Sequence, residues 1–566
     1  MKKMKRSLGW GIGIALLTVI VFLPVLQGGF LSWDDNGLFV QNTQYRGLSA
    51  SHWNWMCTTF YYGHWQPLSW LSYALDYAAG GMNPAGWHLV NLLLHALNAV
   101  LVYLLCMAFV QEPADRKKTA ACAVAALFYA IHPLRVEVVA WLATRGYLLC
   151  TTFCLLTCLF YLRAVSRKRY PLAALLFFAL AAVTKGIGMM LPLVLLLIDW
   201  FPLGRVKSIP QAFRCAMEKI PFFMLSLLTG VMAFFAKKTY GGMAAVEQYG
   251  PLTRFGQALS SFWFYLSKTV APIGLSPLYD KPPVPLTIAV SLLLTAVLMS
   301  GLFLFRRRLR GVIAAVAAFF LLIFPMLGFT QSGKQVMADR FTYLAVIPFS
   351  VLLASGLVLC GKNRRMAWIV LTAFLVFCGA QTFVWSRCWS DDLALWRSAI
   401  LVDEENAHAH NSAGTALLDQ QRYEEALVCF ERALEIKPWD GLARHNRALV
   451  LTLIRRHEEA FEEWRIALAV AKDEPATQAK ILLFRGWAFE QTGDPLAAEQ
   501  DYDRVIDSEE FDALQRARGF FRRGELFAAQ GKMSRAAADW QRVLSLIEPT
   551  HELYGEAERA LKKLAR

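Results

Sequence analysis

The sequence predicts an all-α protein built for two solvents: a polytopic transmembrane helical domain followed by a soluble α-solenoid. Long apolar runs separated by short charged connectors fill the first two thirds, and a 34-residue repeat fills the last third. The charge divides with them near Trp385. Residues 1–385 hold 33 Lys+Arg against 11 Asp+Glu, whereas 386–566 hold 25 against 32. The overall +15 therefore belongs to membrane connectors and predicts no nucleic-acid partner.

Apolar segments read at about 9–27, 88–110, 119–133, 146–162, 170–184, 187–203, 220–236, 284–305, 311–329, 341–360 and 366–385. Most approach the ~20 residues that cross a hydrocarbon core, which predicts about eleven spans. Lys and Arg set the orientation. Alternate connectors (2–6, 116–118, 163–169, 205–219, 306–310 and 362–365) carry 22 basic residues, and the others carry 11, five of them in the long loop 237–283. The expected amino terminus is cytoplasmic and the tail lies on the opposite side. Segment 257–274, around Phe262-Trp263-Phe264-Tyr265, is read as interfacial or re-entrant, because a further span there would break the alternation. The first segment has a long apolar core with no small-residue cleavage site after it, so it is read as an uncleaved span rather than a secretory signal. The eleven cysteines form no disulfide framework. Cys150, Cys154 and Cys158 make an i, i+4, i+8 stripe that reads as a helix contact rather than a metal site.

The tail repeats small and aromatic residues in register. From Ala407, a 34-residue unit places Gly414, Ala426, Phe430 and Pro438. The second unit gives Ala448, Ala460 and Trp464, the third Gly486, Ala498 and Tyr502, and the fourth Gly524, Ala536 and Trp540. This is the tetratricopeptide pattern of stacked helix pairs. Small residues let the paired helices approach, and the aromatic fills the gap between neighbouring pairs. The polar helix 551–566 caps the stack. The expected domains are 1–385 in the membrane, a helical linker 386–406, and repeats 407–566. Such arrays bind a peptide or protein, or else buttress the membrane half.

The connectors expected outside carry the candidate chemistry. The first, 28–87, is rich in Trp and Tyr, and two short helices are predicted there, one capped near Ser49 or Ser51 and one starting at Pro67. Asp34 and Asp35 follow directly on the first span. Paired carboxylates bind a divalent cation or share a proton so that one serves as a base; spacing alone favours a cap or Asx turn. Glu137 sits with His132, Arg135 and Arg145 at the second outer connector, where structural pairing of Glu137 with Arg135 or Arg145 competes with catalysis. Lys185, Lys268, Lys334 and Arg340 are further outward cations, suited to a phosphate leaving group or to snorkelling anchorage. His88, Asn91, His95 and Asn98 share one face of the second span, with His88 nearest the outer end.

Trp33-Asp34-Asp35, Trp65-Gln66-Pro67-Leu68-Ser69-Trp70, and the run Asn83-Pro84-Ala85-Gly86-Trp87-His88 continuing to His95 resemble bacterial relatives of the TMTC family. His132-Pro133-Leu134-Arg135-Val136-Glu137, Asp199-Trp200-Phe201-Pro202-Leu203 and Ala338-Asp339-Arg340-Phe341 continue the resemblance, and the repeats complete it. That family comprises transmembrane, tetratricopeptide-repeat proteins of the GT-C glycosyltransferase superfamily. The resemblance implies a GT-C-like membrane enzyme that takes a sugar from a polyprenyl-phosphate carrier at the non-cytoplasmic face and gives it to a protein or other envelope acceptor; in eukaryotic relatives the sugar is mannose and the acceptor a protein hydroxyl. In a bacterium this places the chain in the inner membrane with periplasmic repeats. The family's acidic position in the first outer loop falls on Asp34 and Asp35, and that of the second on Glu137.

The mechanism expected is an inverting displacement with Asp35, or its neighbour Asp34, as base. Arg145, Lys185, Arg340 and Lys268 are candidates for donor-phosphate binding, and His88, His132 and Arg135 for substrate binding. No cofactor is implied beyond a possible divalent cation. Three positions depart from the family: Gln66 stands where His is frequent, Tyr147 where an acidic residue is common, and Gly186 where the eukaryotic pattern has Glu. They feed the alternative reading, a non-catalytic membrane-anchored scaffold whose repeats organise envelope proteins.

Overall fold

A computed structural model describes residues 2–110, 115–239, 250–329, 335–359, 364–548 and 551–564; Lys334 and Lys362 lie outside them. Among the described residues the regular structure is helical, apart from one isolated antiparallel bridge between Tyr279 and Met337. The chain divides into two compact units, residues 1–35 with 45–391 and residues 36–44 with 392–566.

All eleven apolar segments are helical. Among the described residues six helices are long and apolar enough to cross a membrane: Leu8–Gln27, Pro84–Phe109, Leu142–Ser166, Ile220–Thr239, Pro285–Leu304 and Arg365–Arg387. Two further segments are bent pairs, Arg116–Ala130 with Pro133–Ala140 at 57° and Asp339–Ala345 with Ile347–Leu359 at 54°. Each bend lies at a proline, Pro133 or Pro348, which cannot donate to the helical ladder. Leu172–Ala182, Gly186–Trp200 and Arg310–Met326 are apolar but shorter; at ~1.5 Å per residue, 10–17 residues fall short of a ~30 Å core. Helix Pro251–Val270 is not among the candidate spans. Gly188 packs against the cysteine stripe, where an added Cβ would lie 2.9 Å from the Cys154 sulfur and 3.2 Å from that of Cys150.

At the basic end of the bundle the buried Asp199 accepts from the Tyr161 hydroxyl at 2.7 Å and pairs with Lys219 and with Arg205, whose other arm holds Glu218 at 2.7 Å. Two cations and two carboxylates balance there, the condition under which buried ions are tolerated.

The second unit stacks helix pairs Ala407–Asp419 with Tyr423–Ile436, Gly441–Leu453 with His457–Val470, Pro475–Gln491 with Pro495–Asp507, and Ala513–Ala529 with Met533–Leu546, ending on Glu552–Leu564. The repeat aromatic packs onto the small residue of its own pair. A Cβ on Gly414, Gly486 or Gly524 would come within 2.6–2.7 Å of Phe430, Tyr502 or Trp540. The expected inter-pair filling is thus a contact inside each pair. The same register carries ion pairs sixteen residues apart: Arg447–Glu463, Arg485–Asp501 and Arg523–Asp539, at 2.6–2.8 Å.

Candidate active site

The first span ends in a 3₁₀ turn, Leu23–Gln27, started at Pro24, and the chain then turns across the bundle. Trp33 stacks on Trp141 with centroids 4.9 Å apart. Asp35 is buried, and its two oxygens accept the backbone N–H groups of Leu31 at 3.1 Å and Ala143 at 3.0 Å. It therefore ties the first loop to the second. The expectation that Asp35 is the base gives way here to its neighbour, since both its oxygens are already engaged.

Asp34 points into a different setting. Among the described residues no donor hydrogen-bonds its carboxylate, and the charges acting on it are Arg340, Lys185 and Lys237. Burial pushes its carboxyl above the usual range while those cations oppose the rise. A carboxylate raised toward neutrality is a better base than one at the surface.

Lys185 occupies the break between Leu172–Ala182 and the 3₁₀ turn Gly186–Gly188. Its ammonium lies over the Tyr147 ring, 5.0 Å from the centroid. Burial, with Lys237 and Arg340 nearby, pulls it down to about 7. The neighbouring Gly146 admits it: a Cβ there would sit 3.0 Å from Lys185 Cδ and 3.6 Å from Gln66 Oε1. Tyr147, Gln66 and Gly186, the three departing positions, thus surround one lysine.

Arg340 is held by Glu137 twice, through its guanidinium and through its backbone N–H, which donates at 2.7 Å. It also donates to Gln335 at 2.7 Å, acts on the nearby Tyr147 hydroxyl, and lies 5.3 Å over Trp141. Glu137 therefore pairs with Arg340 rather than with Arg135 or Arg145. The carboxylate orients the guanidinium, and Tyr147 links Arg340 to Lys185.

Two members of the group were not singled out from the sequence. Lys237 comes from the end of helix Ile220–Thr239, which packs on Gly186 through Thr229 and Ala233. His64 follows a tight turn in which Tyr62 and Gly63 both have left-handed backbone, φ 54° and 69°. Burial and the three cations Lys185, Lys237 and Arg340 drive its imidazole well below the ordinary range, so it stays neutral. A lysine at the end of an apolar helix was the one available signal; nothing in the aromatic loop marked His64.

The remaining candidates are committed to structure. Arg145 is buried, pairs with Asp76, and donates to Asn91 at 2.7 Å and to the Trp87 carbonyl at 2.9 Å. Lys268 gives its ammonium to the carbonyls of Ile273 and Gly274, at 2.5 and 2.9 Å. Neither is placed for the phosphate role expected of it. His88 packs on the Gly28-Gly29 turn, 3.4 Å from the Gly29 carbonyl. His132 has both ring nitrogens engaged, with Thr269 O at 3.1 Å and Leu134 N at 3.3 Å. Arg135 is fully buried, donates to Thr342 at 3.1 Å and lies between Tyr129 and Tyr343. All three contact other parts of the membrane unit.

Among the described residues no three His, Cys, Asp or Glu side chains converge to hold a metal. Asp34 faces cations and Asp35 faces backbone N–H groups, so this pair is a poor cradle for a divalent cation.

The tetratricopeptide-repeat family model matches residues 407–440. The human protein O-mannosyl-transferase TMTC3 is 23% identical over 444 residues, covering 71% of this chain and 48% of that protein. Human protein O-mannosyl-transferase TMTC1 is 24% identical over 502 residues, 77% and 55% of the two chains. The chain is a relative of the TMTC proteins. Drosophila melanogaster protein O-mannosyl-transferase Tmtc1 adds a shorter match at higher identity, 32% over 180 residues, 30% of this chain and 20% of that one. The chain spans about half the length of the TMTC3 and TMTC1 relatives it matches.

Proposed function

We propose that the chain is a membrane glycosyltransferase that moves a sugar, mannose by analogy with its relatives' names, from a polyprenyl-phosphate carrier to a protein hydroxyl at the non-cytoplasmic face. The observation that carries this reading is Asp34, a carboxylate that no described donor hydrogen-bonds, acted on by Lys185, Lys237 and Arg340, the same three cations that act on the His64 imidazole. Asp34 takes the proton of the acceptor hydroxyl as its oxygen attacks the anomeric carbon. The bond from that carbon to the phosphate oxygen breaks, and the electron pair leaves with the lipid phosphate. Lys185, Lys237 and Arg340 stabilise the charge gathering there, and no separate acid is needed.

An apolar cavity of about 550 Å³ supports a lipid donor. It follows helix Ile347–Leu359 from Leu344, four residues beyond Arg340, to Leu359, with Cys154 and Leu191 on its opposite wall. An isoprenoid tail fits such a lining, and its phosphate end would lie toward the cations. In this reading the amino terminus is cytoplasmic and the repeats lie on the far side, where they meet protein partners; the bias of Lys and Arg among the connectors supports it.

Purified protein given radiolabelled polyprenyl-phosphate mannose, and other sugars of that class, with peptide acceptors tests the reading. Transfer that disappears in Asp34→Asn supports it. Transfer unchanged in Asp34→Asn refutes the assignment, and no transfer with any donor leaves the scaffold reading in its place.

A further inference from the structure

The solenoid is acidic, and its arginines are mostly neutralised at short range. Arg422, Arg456 and Arg465 each pair with a glutamate three residues away, and Arg485 and Arg523 pair across their repeats. One face breaks this rule. A groove of about 1200 Å³ runs between helices Pro475–Gln491, Ala513–Ala529 and Glu552–Leu564. Five cations line it: Lys480, Arg518, Arg522, Arg559 and Lys563. Only two carboxylates accompany them, Glu525 and Glu556, and Glu525 is taken by Arg522 at 2.9 Å.

Among the described residues Lys480, Arg518, Arg559 and Lys563 make no direct ion pair, and all four are exposed. Lys480 is crowded by Arg518, with Asp419 the acidic group acting on it. Between the cations the floor is apolar and half-buried, formed by Phe484, Trp487 and Phe521. A cleft lined by one sign of charge attracts the opposite charge, and apolar surface rimmed by polar groups marks an interaction site.

We propose that this groove binds an acidic peptide segment whose carboxylates meet Lys480, Arg518, Arg559 and Lys563 while its apolar side chains cover Phe484, Trp487 and Phe521. Charge complementarity selects the partner: the solenoid as a whole is acidic, and this groove offers an acidic chain four cations without a direct ion pair among the described residues. The inference is independent of sugar transfer, because binding is read by itself.

The test uses the full chain in detergent and a fluorescein-labelled decapeptide, Glu-Asp-Leu-Phe-Glu-Asp-Leu-Phe-Glu-Asp, followed by fluorescence anisotropy. Saturable binding that weakens about tenfold or more in Arg518→Glu, and likewise in Lys480→Glu, is expected. Arg542→Glu, on an exposed position outside the groove, should leave it unchanged. A peptide with serine at the Leu and Phe positions should bind at least tenfold more weakly, since charge alone lacks the apolar contact. Arg518 makes no ion pair, so its reversal leaves the fold intact, checked by thermal melting. Equal affinity in Arg518→Glu, equal binding of a lysine-for-acid peptide, or no saturation below about 100 µM overturns the proposal. Equal competition by an oligothymidylate also overturns it, since the patch would then be a general polyanion site.

Discussion

Replacing Lys185 by arginine should remove the alkaline limb of the pH–rate profile. Burial, Lys237 and Arg340 hold the lysine at about 7, far below its ordinary 10.5, so it loses its charge as pH rises through neutrality. Asp34 acts in the opposite sense and must be ionised, which sets the acid limb. A single group titrating at about 7 is only ~3% protonated at about pH 8.5, so kcat/KM should fall about thirtyfold there from its plateau. Arginine stays charged throughout that range. The measurement is kcat/KM for sugar transfer from about pH 5.5 to 9, each enzyme normalised to its own maximum, because arginine also changes the geometry of the site. Lys185→Arg should stay flat above pH 7 and keep the acid limb. An identical alkaline limb in the variant would refute the assignment of that titration to Lys185.

Asp34→Asn should lower kcat about 10²–10⁴-fold with an unchanged melting temperature, whereas Asp35→Asn should cost about 1–3 kcal/mol of stability by misplacing an N–H donor against Leu31 or Ala143; thermal melts in detergent separate the two. Arg145→Ala strands the largely buried Asp76 carboxylate and should destabilise the membrane unit by about 3–5 kcal/mol, read as loss of monodisperse protein on gel filtration. Trp464→Ala empties the fully buried aromatic position of the second repeat and should cost about 3–5 kcal/mol, seen as an earlier transition in the helical circular dichroism signal.

The apolar segments and the repeats were legible because hydropathy and a 34-residue period are properties of the chain itself. The breaks at Pro133 and Pro348 were not drawn, although proline marks both, because apolar composition runs straight through them. The site was legible by residue type and not by direction. Adjacent residues of a turn face opposite ways, and only the fold shows that Asp35 reaches back to Leu31 and across to Ala143 while Asp34 meets the cations. Arg145 was misassigned for a similar reason. Asp76 lies about seventy residues away on helix Pro67–Gly80, and no spacing rule links the two. Lys237 and His64 join the group only because three distant elements pack around Gly186 and Gly146.

Glu137 makes the resting site a partly occupied one. Its carboxylate already satisfies the Arg340 guanidinium that an incoming phosphate needs, so donor and residue compete for the same cation. In the proposed reaction a weak ground-state grip follows, and with it quick release of the spent lipid phosphate. The full strength of Arg340 is reserved for the moment when negative charge on the departing oxygen outweighs that of the resident acid.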